Sequence, residues 1–147
     1  MTTWTKREKR IAVAYAFDCE GCVHSAITRK GSAPQAWILF SQRKGELVYK
    51  LQELLGFGDV YVRIDPKNGG KIYRLQITRA ENVRRFIRFI YPFSILKRSE
   101  LKVGYEMAML TGIRGRNAGP GSLRKEARDR RLELHIELRE LKRAHHI

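Results

Sequence analysis

The sequence predicts an α+β fold in which helices and β-hairpins follow one another in the order αββαββα, with further helices after them. Three observations carry this prediction. An apolar run, Ile11 to Phe17, keeps helical spacing and then stops at Asp18, Cys19, Glu20 and Gly21. Two pairs of β-rich segments each flank a turn signal, Gly31, Ser32, Ala33 and Pro34 in the first pair and Pro66, Lys67, Asn68, Gly69 and Gly70 in the second. Leu47, Leu51, Leu54 and Leu55, and later Val83, Phe86, Ile87 and Ile90, recur three and four apart, as one buried helix face requires.

Taken in order, the first helix runs from about Lys6 to Asp18, and Gly21 stops it. Cys22 to Lys30 and Gln35 to Ser41 are rich in β-branched and aromatic residues and form the first hairpin. The leucine helix ends at Gly56 and Gly58. Val60 to Ile64 and Ile72 to Thr78 make the second hairpin, whose Asn-Gly is a strong local turn signal. The third helix stops before Pro92, with Arg84, Arg85 and Arg88 on its other side. A fourth helix is expected over Lys97 to Leu110, then a basic connection through Gly112, Gly115, Gly119, Pro120 and Gly121. Ser122 caps a last helix in which Leu134, Leu138 and Leu141 line one face, read as a supporting, salt-bridged helix.

Alternation assigns the strand faces. Val23 and Ile27 point to the core, leaving His24, Ala26, Thr28 and Lys30 outward; Ile38 and Phe40 leave Gln35, Trp37 and Ser41 outward. Val62 and Ile64 leave Arg63 and Asp65 outward, and Tyr73, Leu75 and Ile77 leave Arg74 and Gln76 outward.

The chain has 30 Lys and Arg against 15 Asp and Glu, a formal charge of +15 on 147 residues, so a polyanionic partner is the first expectation. An apolar content of 43% supports a packed core and argues against a disordered basic tail. The length suits one domain, 1–147, with a core over about 5–110 and a helical extension over about 122–145. No apolar run approaches membrane-spanning length and MTTWTKREKR lacks a secretory apolar stretch, so an intracellular setting is expected, a prokaryotic cytoplasm or an organelle.

Cys19 and Cys22 form a lone CxxC that is open to three readings: half a zinc site, a redox pair or coincidence. Zinc needs four ligands, and His24 is the only further candidate nearby. A redox pair usually opens a helix, whereas this pair straddles a helix end. Two small, semi-buried residues is the preferred reading.

The stretch VAYAFDCEG, Val13 to Gly21, resembles the motif of the LAGLIDADG homing endonucleases, with Asp18 and Glu20 at the acidic positions and Gly21 at the closing glycine. Tyr15 stands where that family prefers Gly, and Ala16 where it prefers Leu. FSQRK, with Gln42, and PFSILK, with Lys97, resemble segments where single-motif members place a polar residue and a lysine around the reaction centre. The element order is also similar to that family's core, across residues 5–110.

The resemblance implies a metal-dependent endodeoxyribonuclease built on a four-stranded antiparallel DNA-binding saddle. Such an enzyme cuts both strands of a long pseudo-palindromic site across the minor groove and leaves short 3′ overhangs, as an intron-encoded enzyme of intron homing does. Glu20 would be a ligand for Mg²⁺, a hard cation that prefers oxygen, with Mn²⁺ or Ca²⁺ as possible occupants. The resemblance adds the Cys19 carbonyl as a second ligand and gives Asp18 a structural role. Lys97 would stabilise charge on the phosphate and Gln42 would orient water. One acid per chain is too few for two strands, so a homodimer through the helix 11–18 is expected, with Ala12 and Ala16 allowing a close crossing. The DNA-binding candidates are the outward residues His24, Thr28, Lys30, Gln35, Trp37, Ser41, Arg63, Asp65, Arg74 and Gln76, because Arg and Gln read base edges in the major groove. The alternative is a non-cleaving member of the same fold, an RNA maturase or a DNA-binding regulator. A basic ribosome-associated RNA-binding protein would account for the charge but not for Glu20.

Overall fold

A computed structural model describes residues 3–28, 32–111 and 122–144. Its elements are α1 (Lys6–Glu20), β1 (Gly21–Ala26), β2 (Gln35–Gln42), α2 (Gly45–Leu55), β3 (Asp59–Ile64), β4 (Lys71–Ile77), α3 (Ala80–Ile90), a 3₁₀ turn (Tyr91–Phe93), α4 (Arg98–Thr111) and α5 (Ser122–Ala144). This is an α+β chain in the order αββαββα with two further helices. The expected connection through Gly112, Gly115, Gly119, Pro120 and Gly121 lies outside the described residues, as do Lys30 and Gly31 of the first turn and the side chain of Ser122.

Thr5 opens α1 with a capping box: its hydroxyl accepts from the Glu8 N–H at 3.1 Å, and the Glu8 carboxylate accepts from the Thr5 N–H at 3.1 Å. The helix passes directly into β1, two residues later than the sequence reading placed its end. Gly21 there has an ordinary extended backbone (φ −93°, ψ 166°), so its freedom is not what matters. A Cβ at Gly21 would run into the Phe17 ring, and the glycine therefore lets the strand leave the helix at contact distance. At the end of α2 the need differs: Gly56 closes the helix in the left-handed region at φ 78°, its N–H on the Gln52 carbonyl at 2.8 Å.

The four strands form one antiparallel sheet in the order β1-β2-β4-β3. Gly21 pairs with Phe40, His24 with Trp37, Ser41 with Arg74 and Tyr61 with Arg74, so one face of the sheet carries Val23, Ile38, Phe40, Leu75 and Ile77. These five are buried with Val13 and Phe17 of α1, Val83, Phe86 and Ile90 of α3, and Leu101 and Met107 of α4. At the centre Phe17, Phe40 and Phe86 meet edge to face with ring centroids 5.5 to 6.0 Å apart. Truncating any one of them to Ala would cost about 3 to 5 kcal/mol.

Three details depart from the strand reading. β1 ends at Ala26, so Ile27 is 55% exposed instead of core, while Ala26, expected outward, is buried at 6%. Val62 and Ile64 lie on the helix side as alternation requires, yet they are 49% and 69% exposed. β3 is an edge strand, and the helices stop short of that end of its hairpin. Cys19, expected semi-buried, is exposed, while Cys22 is half-buried and both thiols are free.

The last helix packs firmly. Leu134 and Leu138 of α5 are each 1% exposed, and Arg130 donates to the two Glu106 carboxylate oxygens of α4 at 2.6 and 3.2 Å. Among the described residues no helix is long and apolar enough to cross a membrane.

Candidate functional site

The C-terminal turn of α1 sorts its side chains by depth. Phe17 is in the core and Asp18 is buried beneath the surface, while Cys19 and Glu20 emerge into solvent. The Asp18 carboxylate accepts from the Ser94 hydroxyl at 2.6 Å, the Ile95 N–H at 2.6 Å and the Leu96 N–H at 3.3 Å. It thereby ties the segment after the 3₁₀ turn to the helix end, which is the structural role expected of it. One residue further on, the Lys97 ammonium donates to the Phe17 carbonyl at 3.2 Å and to the Gly21 carbonyl, and it lies 5.4 Å from the centroid of the Phe17 ring. A cation over the last carbonyls of a helix is favourable there. The outcome is a lysine straddling the turn that presents Glu20, with a third N–H that makes no hydrogen bond among the described residues.

Gln42 ends β2 two residues beyond the Gly21–Phe40 pair, so the register brings it to the same margin of the sheet as the end of α1. Its half-buried side chain shares the core side of the sheet with Tyr73, its partner in β4. Glu20, Lys97 and Gln42, from three distant stretches of sequence, thus converge on one edge.

The donor set suits a hard divalent cation only in part. Among the described residues nothing hydrogen-bonds to or pairs with the exposed Glu20 carboxylate, which leaves it available as an oxygen ligand. No group of three or more His, Cys, Asp or Glu side chains among the described residues could hold a metal ion. One chain therefore offers the Glu20 carboxylate, and the remaining ligands would have to come from backbone carbonyls, water, phosphate oxygens or a second copy.

The other face of the sheet carries the polar residues. His24 and Trp37 pair across β1 and β2 with rings 6.3 Å apart, and Arg74 donates to the Ser41 hydroxyl at 3.2 Å. Gln35, Gln76 and Arg63 lie on the same face by register. Burial, reinforced by the positive charges of Lys142, Arg74 and His135, pushes the His24 imidazole below its ordinary range, so it is neutral near pH 7 and can both donate and accept. The Trp37 indole N–H is buried with no partner among the described residues. Thr28 is exposed beyond the end of β1, and Lys30 lies outside the described residues. The Asp65 side chain turns into its hairpin, accepting from the Lys67 N–H at 3.0 Å and lying 3.6 Å from Arg43. Sequence reading missed Tyr61, 54% exposed beside Arg74 on this face; the alternation that selected Arg63 selects it as well.

A second surface adjoins the acidic turn. On α1, Ile11 (44%), Tyr15 (72%) and Cys19 stand four apart and exposed, with Ala12 and Ala16 half-buried beside them. Ile95 and Leu96, held by Asp18, extend this apolar surface at 83% and 63% exposure. No periodic pattern announced these two, because they belong to a loop.

A four-stranded antiparallel sheet, backed by helices and edged by an acidic helix end, is the α+β architecture of this chain. The family model for the LAGLIDADG-like domain matches residues 8–91, more than half of the chain, and the chain belongs to the LAGLIDADG family. Among solved structures, the homing endonuclease I-CvuI in complex with its target in the presence of Ca has a TM-score of 0.74 at 15% identity, covering 92% of this chain and 83% of that one. The archaeal intron-encoded homing endonuclease I-Vdi141I complexed with DNA reaches 0.72 at 18% identity, covering 93% and 86%. The homing endonuclease I-TnaI reaches 0.68 at 20% identity, covering 97% and 96%. At these identities the likeness establishes a shared fold. No curated protein matches the chain.

Proposed function

We propose that this protein is a site-specific DNA homing endonuclease that acts as a homodimer with Mg²⁺, cutting both strands of a long pseudo-palindromic site to leave short 3′ overhangs. One observation carries the reading: Asp18 clamps the segment that lays Lys97 across the turn presenting Glu20, whose carboxylate has no partner among the described residues. The fold relatives I-CvuI and I-Vdi141I in their DNA complexes support duplex DNA as the partner, and Ca and Mg accompany the I-CvuI complexes.

Glu20 and the Cys19 carbonyl would hold the cation, which when bound lowers the pKa of a water and offsets charge on the phosphate. The remaining N–H of Lys97 would offer a fixed positive charge to the phosphate oxygens, where its attraction grows as charge develops. Gln42, able to donate and accept, orients the attacking water from the strand side. Two copies joined through Ile11, Tyr15, Cys19, Ile95 and Leu96 would bring two Glu20 turns to one twofold axis, one for each strand. The outer sheet face, with Arg74, Arg63, Gln76, Gln35 and His24, then lies against the major groove on either side.

The test begins by selecting a bound site from a randomised DNA library and then assaying a plasmid that carries it. Linear product that disappears with EDTA and returns with Mg²⁺ is expected. Specific binding without cleavage in Mg²⁺ or Mn²⁺ would overturn the nuclease reading in favour of a DNA-binding regulator, and binding to a structured intron RNA alone would favour a maturase.

A further inference from the structure

α5 has no part in the proposed reaction, yet it is bolted to the β1–β2 hairpin at two places. Arg131 donates from Nε to the Pro34 carbonyl at 2.9 Å and from a terminal nitrogen to the Ala33 carbonyl at 3.1 Å, gripping the chain just before β2. One helical turn on, His135 Nδ1 shares a 2.5 Å hydrogen bond with the hydroxyl of Ser25 in β1. Residues four apart face the same way on a helix, so a single face of α5 holds both arms of the hairpin. The opposite anchorage is equally definite: Leu134 and Leu138 are buried, and Arg130 pairs with Glu106 of α4 at 2.6 Å. α5 is therefore a rigid link between α4 and the hairpin.

The link reaches the edge of the sheet. β1 is an edge strand of only six residues, hydrogen-bonded to a neighbour on one side alone. Its first half is seated on the core, since Val23 fills the space beside Gly104, where a Cβ would stand 2.8 Å from a Val23 methyl. Its far half, with Ser25 and the return at Ala33 and Pro34, is where Arg131 and His135 make their hydrogen bonds. That far half carries Gln35, and His24 and Trp37 pair just beyond it.

The geometry points to Arg131 and His135 as positioning residues for sequence readout, fixing the tilt of the β1–β2 hairpin so that His24, Gln35 and Trp37 meet their base pairs in one register. A base-edge hydrogen bond tolerates only a few tenths of an ångström, so a hairpin that rocks loses discrimination before it loses affinity. The inference rests on the DNA-reading face proposed above.

The test compares binding profiles over all single-base variants of the selected site. His24→Ala, Gln35→Ala and Trp37→Ala first map the base pairs read by this hairpin, and Arg74→Ala maps those read by the other. Arg131→Ala combined with His135→Ala is expected to relax discrimination roughly five- to tenfold at the first set and to leave the second set unchanged. Arg131→Lys, whose ammonium can reach both carbonyls, should restore most of the preference. If the double variant is poorly folded, Arg131→Gln against Arg131→Lys makes the same comparison. A uniform change across both sets, or none, overturns the positioning role while the Arg74 map stands. An Arg74→Ala variant that changes neither the preference at any base pair nor the salt slope of binding overturns the reading face itself.

Discussion

Replacing Asp18 by Ala removes the acceptor for three donors at once, the Ser94 hydroxyl at 2.6 Å and the N–H groups of Ile95 and Leu96 at 2.6 and 3.3 Å, at a position only 8% exposed. Each buried donor left without a partner costs about 1 to 3 kcal/mol, but water reaches the exposed segment at Ile95 and Leu96, so the sum should be about 3 kcal/mol. For a chain of this size that corresponds to a fall in Tm of about 6 to 12 °C. Asp18→Asn should be milder, about 1 kcal/mol, because its amide oxygen can take the two N–H groups while its NH₂ donates to a Ser94 hydroxyl that simply rotates. The kinetic effect follows from the next residue, since Lys97 reaches the Phe17 and Gly21 carbonyls only while that segment stays down. Single-turnover cleavage by Asp18→Ala below its Tm should be slower by at least about tenfold, with site affinity within about twofold, as expected when a charged group shifts by about 1 Å. Thermal melts paired with single-turnover assays check both parts. An Asp18→Ala protein that keeps its Tm, or one that loses stability yet cleaves at the normal rate, would refute the link from Asp18 through the loop to Lys97.

Glu20→Gln keeps size and hydrogen bonding but removes the ligand charge, so site binding in gel shift should survive while cleavage drops by orders of magnitude. Tyr15→Glu places a charge on an apolar surface without touching the protomer core, where the half-buried Ala16 offers a less clean site; light scattering should show a monomer, and double-strand cleavage should be lost with it. Arg63→Ala or Arg74→Ala should cost about 1 to 3 kcal/mol at one base pair if the contact is a guanine edge, or lower the salt slope of binding by about one if it is a phosphate. The His135 imidazole is held below its ordinary range by burial and then by Arg139 and Lys142, and His24 is lowered mainly by burial, so in both the folded state disfavours the proton. Their contribution is present above the unfolded value of about 6.5 and is lost as pH falls through it toward the lower folded values. Denaturant titrations from pH 8 to 5 should show stability falling with pH, less steeply for His135→Gln.

Patterns with a fixed period were the legible part. The 3.6-residue spacing of Val13, Ala14 and Phe17, or of Val83, Phe86, Ile87 and Ile90, needs only that one helix face be buried, and each of these residues is buried. Period-two alternation identified Ile38, Phe40, Leu75 and Ile77 as core because both neighbours of the central strands are filled. The same rule gave the right face but the wrong burial for Val62 and Ile64, since a strand's face is local while its cover depends on where a distant helix ends. Ile27 failed for a related reason: pairing stopped at Ala26, and the stopping point is set by the partner strand.

The candidate site divides the same way. Sequence alone determined the family's acidic helix end, the order of elements and a basic surface, because these are local chemistry and composition. It also singled out Lys97 and Gln42, though only through resemblance, and nothing in their surroundings announced that both lie at the margin of the sheet where α1 ends. Only the tertiary structure decided that Asp18 holds the chain before Lys97, that Ile95 and Leu96 stand exposed beside the α1 stripe, and that α5 grips the hairpin through Arg131 and His135. These contacts join residues about 77 to 110 positions apart, where hydrogen bonds are directed by backbone geometry that folding creates and no spacing along the chain encodes.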